Sequence, residues 1–299
     1  MSPSTVEKLH TFHAQERQIL SKLVLVFSRP PAESLLVMAT WLWLEDFGYE
    51  NILSTIVALT DPLILALANE AISCFQCLDS KDPPKDFNQI PLTTDLMKNY
   101  ISLPIIYKHR YTAITGIKNF LTIICSRIFS DILQKVLPCS SSYSFVTRYR
   151  RPLIIPGFPH PTFGSINVLP DVVDGDYFPN NNLFLIPSGI WGWNANCIAT
   201  EEDRTMFITF SRGFPVSKAE VKELFTDHFG ENCVECIYMR EGNENVLYTN
   251  VNSNGQQKLF ARLVLDSVTT VDRVLNGTNL SKFHIHRKHI WARKFLKRN

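Results

Sequence analysis

A chain of 299 residues, 45% hydrophobic and 19% charged, carries enough apolar side chains for a packed core and enough length for about two domains. Its net charge of +2 looks neutral, yet Lys282, Arg287, Lys288, Arg293, Lys294, Lys297 and Arg298 crowd the C-terminus with no acid among them, so local charge matters more than the total. Seven irregularly spaced cysteines do not form a disulfide framework, and the N-terminus does not resemble a secretory signal, which together predict a reducing compartment, nuclear or cytoplasmic with the nucleus favoured.

From about Thr5 to Leu137 apolar residues recur at helical spacing, as in Ile19, Leu20, Leu23, Val24 and Phe27, and later Ile117, Phe120, Leu121, Ile124, Ile128 and Ile132. A helical domain over 1–137 is predicted. Pro30-Pro31 breaks the first helix and Ser34 starts a second through Trp41 and Trp43; Asp61-Pro62 reads as an N-cap and helix-opening proline, and Thr94 or Asp95 as the start of another short helix. Asp79 to Pro91, with Pro83 and Pro84 among charges, reads as a loop. The most apolar stretch, Ile52 to Phe75, is interrupted by Asp61, Pro62 and Glu70. It falls short of the roughly 20 clean apolar residues of a membrane span, so no membrane partner is expected. Trp41-Leu42-Trp43-Leu44 reads first as bundle core and second as a surface for self-association or a protein partner.

Between about 138 and 203 prolines recur at 152, 156, 159, 161, 170, 179 and 187 beside Gly and Asn, so neither a long helix nor a central strand can persist. The texture is that of a Pro/aromatic-rich linker. Phe158, Phe163, Phe184, Ile190, Trp191 and Trp193 are costly to leave in water, so part of it is expected to drape over a neighbouring domain.

From Arg204 the pattern becomes strand, helix, strand, strand, helix, strand, the split βαβ order of a four-stranded antiparallel sheet with two helices on one face. Met206–Phe210 is the first strand. Ser217 with Glu220 forms a capping box for a helix that Gly230 ends near Phe229. Val234–Met239 is the second strand, and Arg240 through Gly255 a long hairpin in which Val246 to Thr249 pair locally. Lys258–Leu265 is the third strand, about Ser267 to Leu275 a helix ended by Asn276-Gly277, and Ile285 or Lys288 through Arg293 the last strand. Residues 204–295 form this domain and 296–299 a basic tail. The fold class is α+β.

This segment resembles the RNA-recognition motif (RRM) family, which carries a six-residue motif in its first strand and an eight-residue motif, basic-Gly-aromatic-Gly/Ala-aromatic-aliphatic-any-aromatic, in its third. Met206-Phe-Ile-Thr-Phe-Ser211 puts Phe207 on the aromatic slot. Lys258-Leu-Phe-Ala-Arg-Leu-Val-Leu265 keeps the basic start, the aromatic third residue and the small fourth. Val234–Arg240 is similar to the second strand of heterogeneous-nuclear-ribonucleoprotein RRMs. The whole chain is similar to a group of uncharacterised plant RRM-like proteins with a helical N-terminal region. Leu259 replaces the usual glycine, Arg262 the second stacking aromatic, Leu265 the terminal aromatic, and Phe210-Ser211 the common Asn-Leu. The resemblance implies a ferredoxin-like βαββαβ fold and single-stranded RNA as partner.

Alternation along strands places Phe207, Thr209, Lys258, Phe260, Arg262, His289, Trp291 and Arg293 on the face away from the helices, with Met206, Ile208, Phe210, Ala261, Leu263, Leu265, Ile290 and Ala292 in the core. Rings and a guanidinium plane there stack bases, while Lys258, Lys294, Lys297 and Arg298 meet phosphates. The bland reading is that the rings are packing groups, covered by Trp191 or Trp193, and that the fold serves as a protein adaptor. Glu220, Glu223 and Asp227 supply the acidic first helix of protein-binding RRMs, but Ser281-Lys282-Phe283 matches their loop poorly.

Cys74-x-x-Cys77 and Cys233-x-x-Cys236 have zinc-ligand spacing, but one pair falls on an apolar helix and the other on a strand whose residues three apart face opposite sides. His284, His286 and His289 could bind metal or sense pH, but no carboxylate or cysteine joins them. Asn276-Gly-Thr and Asn279-Leu-Ser fit the glycosylation pattern, which carries no weight inside a cell. A Gly-rich phosphate loop, a nucleophile elbow and a metalloprotease helix are all missing from the sequence, so neither catalysis, cofactor nor metal is expected.

Overall fold

The structure, a computed structural model, describes residues 5–48, 51–85, 89–98, 100–137, 152–169, 199–212, 216–239, 259–285 and 288–296. These fall into two compact units, one drawn from Met1–Tyr107 and Ala113–Cys197, the other from Lys108–Thr112 and Ile198–Asn299.

The helices run α1 Thr5–Phe12, α2 Ala14–Ser21, α3 Pro31–Asp46, α4 Ile52–Ala58, α5 Asp61–Asp79, α6 Pro91–Leu96, α7 Leu103–Lys108, α8 Arg110–Asn119, α9 Ser126–Ile128 and α10 Ser130–Val136. Wider π-helical turns, Lys22–Val26 and Phe120–Cys125, follow α2 and α8. A helix that is apolar on all sides belongs in the middle of its unit. α3 is such a helix, every residue from Ser34 to Leu44 being buried. Trp41, Leu42, Trp43 and Leu44 are therefore core, which removes that run as a partner surface. Ser34 does not start this helix. Pro31 does, because proline at the first position forfeits no hydrogen bond. The next proline entry shifts by one residue, with Thr60 at the N-cap and Asp61 already helical. α6 likewise begins at Pro91 rather than at Thr94 or Asp95: the buried Glu70 carboxylate of α5 accepts from the amides of Leu92 and Thr93 at 2.9 and 2.6 Å and so caps it from outside.

Residues 152–169 pack on the helical core, as expected for the part of the Pro-rich segment that carries Phe158 and Phe163. Ile155, Phe163, Ile166 and Val168 are buried in the helical core, and the Phe163 ring meets Phe75 edge-on at 6.4 Å. Prolines bring no N–H that demands a partner, so an irregular Pro-rich segment can be buried along its apolar side chains. Trp191, Trp193, Phe184 and Ile190 lie outside the described residues.

In the second unit Ser217 and Glu220 form the capping box, Ser217 Oγ accepting from the Glu220 amide at 3.2 Å and Glu220 Oε2 from the Ser217 amide at 2.8 Å. They open α11 Lys218–Phe229, which stops at Gly230, whose φ of +115° suits glycine. Ser267 caps α12 Val268–Leu275, which ends at Asn276 in the left-handed region.

The strands are β1 Thr205–Phe210, β2 Val234–Tyr238, β3 Phe260–Leu265, β4 Ser281–Ile285 and β5 Lys288–Lys294. They form one antiparallel sheet in the order β2-β3-β1-β5-β4. The fold class α+β therefore stands, with five strands in place of the expected four. The last strand is a hairpin: Phe283 and Ile285 of β4 face inward, and Phe283 packs against Phe225 and Phe229 of α11 at 5.4 and 6.0 Å. Met206, Ile208, Ala261, Leu263, Leu265, Ile290 and Ala292 are buried with Val221, Leu224, Phe225, Val271 and Val274 of the helices. Residues 240–258 and the tail 297–299 lie outside the described residues.

Asp272 of α12 turns its buried carboxylate to Lys108–Thr112, accepting from the amides of Tyr111 and Thr112 at 3.0 and 2.9 Å and from Thr112 Oγ1 at 2.6 Å. Burial nonetheless outweighs these donors and lifts its pKa to about 6.

Candidate functional site

The sheet face turned away from α11 and α12 is laid out in cross-strand rows. Tyr238, Arg262, Phe207 and Arg293 form one row across β2, β3, β1 and β5. Phe260, Thr209, Trp291 and Lys282 form the next, across β3, β1, β5 and β4, followed by the pair His289 and His284. Phe207 and Phe260 are diagonal neighbours whose rings stack with centroids 5.6 Å apart and planes 22° from parallel. Phe260 is 45% exposed, Tyr238 49% and Trp291 37%; Phe207 and Thr209 are half-buried.

Cations lie against the rings. The Arg293 guanidinium is 4.7 Å from the Phe207 ring centre and Lys282 Nζ 5.0 Å from that of Trp291. Arg262 lies 5.3 Å from Tyr238 and 4.7 Å from Phe295, and pairs with Glu201 at 3.2 Å. Such contacts hold long side chains down on the sheet while leaving their charge near the surface. At the other end the same surface is covered: Thr205 and Val264 are buried, and Thr205 Oγ1 donates to the Glu201 carbonyl at 2.5 Å as residues 200–204 turn back.

The structure thus brings together Phe207, Thr209, Phe260, Arg262, His289, Trp291 and Arg293. It does not bring Lys294. In register with Met206, Lys294 sits on the helix side, its Nζ donating to the carbonyls of Glu202 and Thr205 and lying 5.8 Å from the Tyr111 ring. Lys258, Lys297 and Arg298 lie outside the described residues. Tyr238, Lys282, His284 and Phe295 join the face without having been expected there. The alternation Ser281-Lys-Phe-His-Ile285 was the readable signal for two of them, polar residues alternating with inward Phe283 and Ile285.

Among the described residues no group of three or more His, Cys, Asp or Glu is placed to hold a metal ion. Cys74 and Cys77 are buried, burial pushing the Cys74 thiol well above its ordinary value. Cys233 is buried while Cys236 is only half-buried. No described helix is long and apolar enough to cross a membrane. The chain matches no family model, no curated protein and no solved structure.

Proposed function

We propose that the second unit is an RRM-like module that binds single-stranded RNA on its open sheet face. One observation carries the reading: Phe207, on the aromatic slot of the first-strand motif, and Phe260, on the first of the aromatic slots of the third-strand motif, lie side by side on that face, with Arg293 against one ring and the other 45% exposed. Unpaired bases splay out to stack on such rings and on guanidinium planes, and nearby cations draw the phosphates. With the edge strand β4 set aside, the order β2-β3-β1-β5 and the positions of α11 and α12 agree with a split βαβ arrangement, which supports the RRM reading.

The test is fluorescence anisotropy of the full chain with labelled random-sequence RNA of ten nucleotides, single-stranded or annealed to its complement. Phe207→Ala and Phe260→Ala are each expected to cost about 1–3 kcal/mol, or about 5- to 150-fold in affinity for the single strand. Absent binding, or binding that both variants leave unchanged, removes the reading and favours a protein-binding adaptor.

A further inference from the structure

The β4–β5 hairpin widens the sheet beyond Trp291 and places three groups that can carry positive charge at its outer edge. His284 and His289 face each other across the two strands with ring centroids 4.5 Å apart and planes 70° from parallel. Lys282 lies one cross-strand row away, over Trp291. Phe283 and Ile285 anchor β4 on the other side, so the polar residues between them project outward. We propose that this edge is a second nucleotide subsite, in which a base stacks on Trp291 and the adjoining phosphate is held by Lys282 together with a protonated imidazole of the His284–His289 pair, so that RNA binding takes up a proton. The inference rests on the RNA-binding reading and adds to it a residue set and a pH dependence.

The surroundings of the pair favour such linkage. β4 presents Lys282, β5 presents Arg293 two rows further on, and β1 presents the uncharged Thr209 and Phe207. Lys288 turns to the helix side, where its Nζ donates to Glu220 Oε1 at 2.6 Å. Among the described residues no carboxylate contacts the pair; His286 and Arg287 lie outside them. Partial desolvation, then Lys282 and His284, hold His289 below the ordinary imidazole value in the free protein, and its Nδ1 is buried without a hydrogen-bond partner. Protonation of His289 is therefore disfavoured while the subsite is empty. A phosphate there reverses the balance, because an anion within a few ångströms favours the charged imidazole. Imidazoles titrate in the range that makes this visible.

The experiment is the same anisotropy titration at pH 7.5 and pH 5.5 and constant ionic strength, with wild type, Phe207→Ala, Trp291→Ala and the double variant His284→Gln/His289→Gln, each checked for native circular dichroism. Wild type is expected to bind about tenfold more tightly at pH 5.5, the double variant about equally at both. Trp291→Ala is expected to weaken binding about 5- to 150-fold. Phe207→Ala is expected to bind more weakly throughout while keeping the wild-type pH ratio. The carboxyls held above their ordinary values elsewhere, Glu45 at about 7 and Asp46 in the other unit and Asp272 at about 6 on the helix side of the sheet, are the same in wild type and the double variant, so they do not separate the two. A wild-type pH ratio below about twofold, a ratio that survives in the double variant, or unchanged binding by Trp291→Ala overturns the subsite and leaves the RNA reading intact. Binding that Phe207→Ala does not weaken, or no binding at either pH, overturns both.

Discussion

Gly116 of α8 has no room for a methyl group. A Cβ built there would lie 2.4 Å from Cδ1 of Trp43, an indole that is itself buried in α3. Alanine's better helix propensity is worth about 1 kcal/mol, less than the strain of overpacking a closed core. Gly116→Ala is therefore expected to destabilise the protein by about 1–3 kcal/mol, read as a lower urea midpoint. On the sheet face, Arg262 pairs with Glu201 at 3.2 Å, so an anionic ligand would compete with that carboxylate for the guanidinium. Glu201→Gln keeps the shape and removes the competing charge. If the RNA reading holds, this variant binds single-stranded RNA about three- to tenfold more tightly, with a steeper salt dependence. Weaker or unchanged binding would show that Glu201 does not compete.

Among the elements, α11 and α12 were legible because their signals are local: a serine three residues before the amide it caps, and Gly230 or Asn276 at the end. Ser217→Ala is expected to cost about 1 kcal/mol in denaturant unfolding. The hairpin β4–β5 was only half legible, because a strand of five residues with one Lys and one His outward looks like a polar connection until its inward Phe283 is known to have a helix to pack on. The start of α6 could not be read either, since its cap is the side chain of Glu70 from another helix.

Asp272 shows a long-range cap of the same kind at the start of α8, and it has a pH signature. Its folded value of about 6 stands above the ordinary 3.8, so between these limits the folded chain keeps a proton that the unfolded chain has released. Stability from this group is full below about pH 4 and declines as pH rises to about 6. Comparing urea midpoints at pH 4.5 and 7.5, Asp272→Asn is expected to lose less stability than wild type on going to the higher pH. An equal loss in both would assign the dependence to other groups.

For the molecule as a whole, alternation and core composition were enough to reveal the α+β class and the inward and outward faces of β1, β3 and β5. Phe207, Phe260, Arg262, Trp291 and Arg293 could be read for the same reason: a strand's period of two assigns every side chain once one is assigned. Lys294 escaped that logic because its charge was taken as a surface group, while its register puts it with Met206 and Ile290 on the inner side. In residues 152–169 the aromatic Phe158 and Phe163 were read as packing groups, while Ile155, Ile166 and Val168 escaped because burial without a regular period leaves no pattern among prolines. The near-neutral total charge has little bearing on RNA affinity if the described face offers Lys282, Arg262 and Arg293; for three phosphates, log affinity against log salt should fall with a slope of about −2. A slope near zero would show that these three cations do not meet phosphates.

The two strands that bear Phe207 and Phe260 are both interior: β1 is bonded to β3 and β5, and β3 to β1 and β2. Their backbones are fixed before any ligand arrives, so under the proposed function the loss of conformational freedom on association would fall on the nucleic acid and on a few cationic side chains. Amide hydrogens of β1 should consequently rank among the slowest to exchange with deuterium in the second unit, with or without RNA, whereas those on the outer side of the β4 edge should exchange faster.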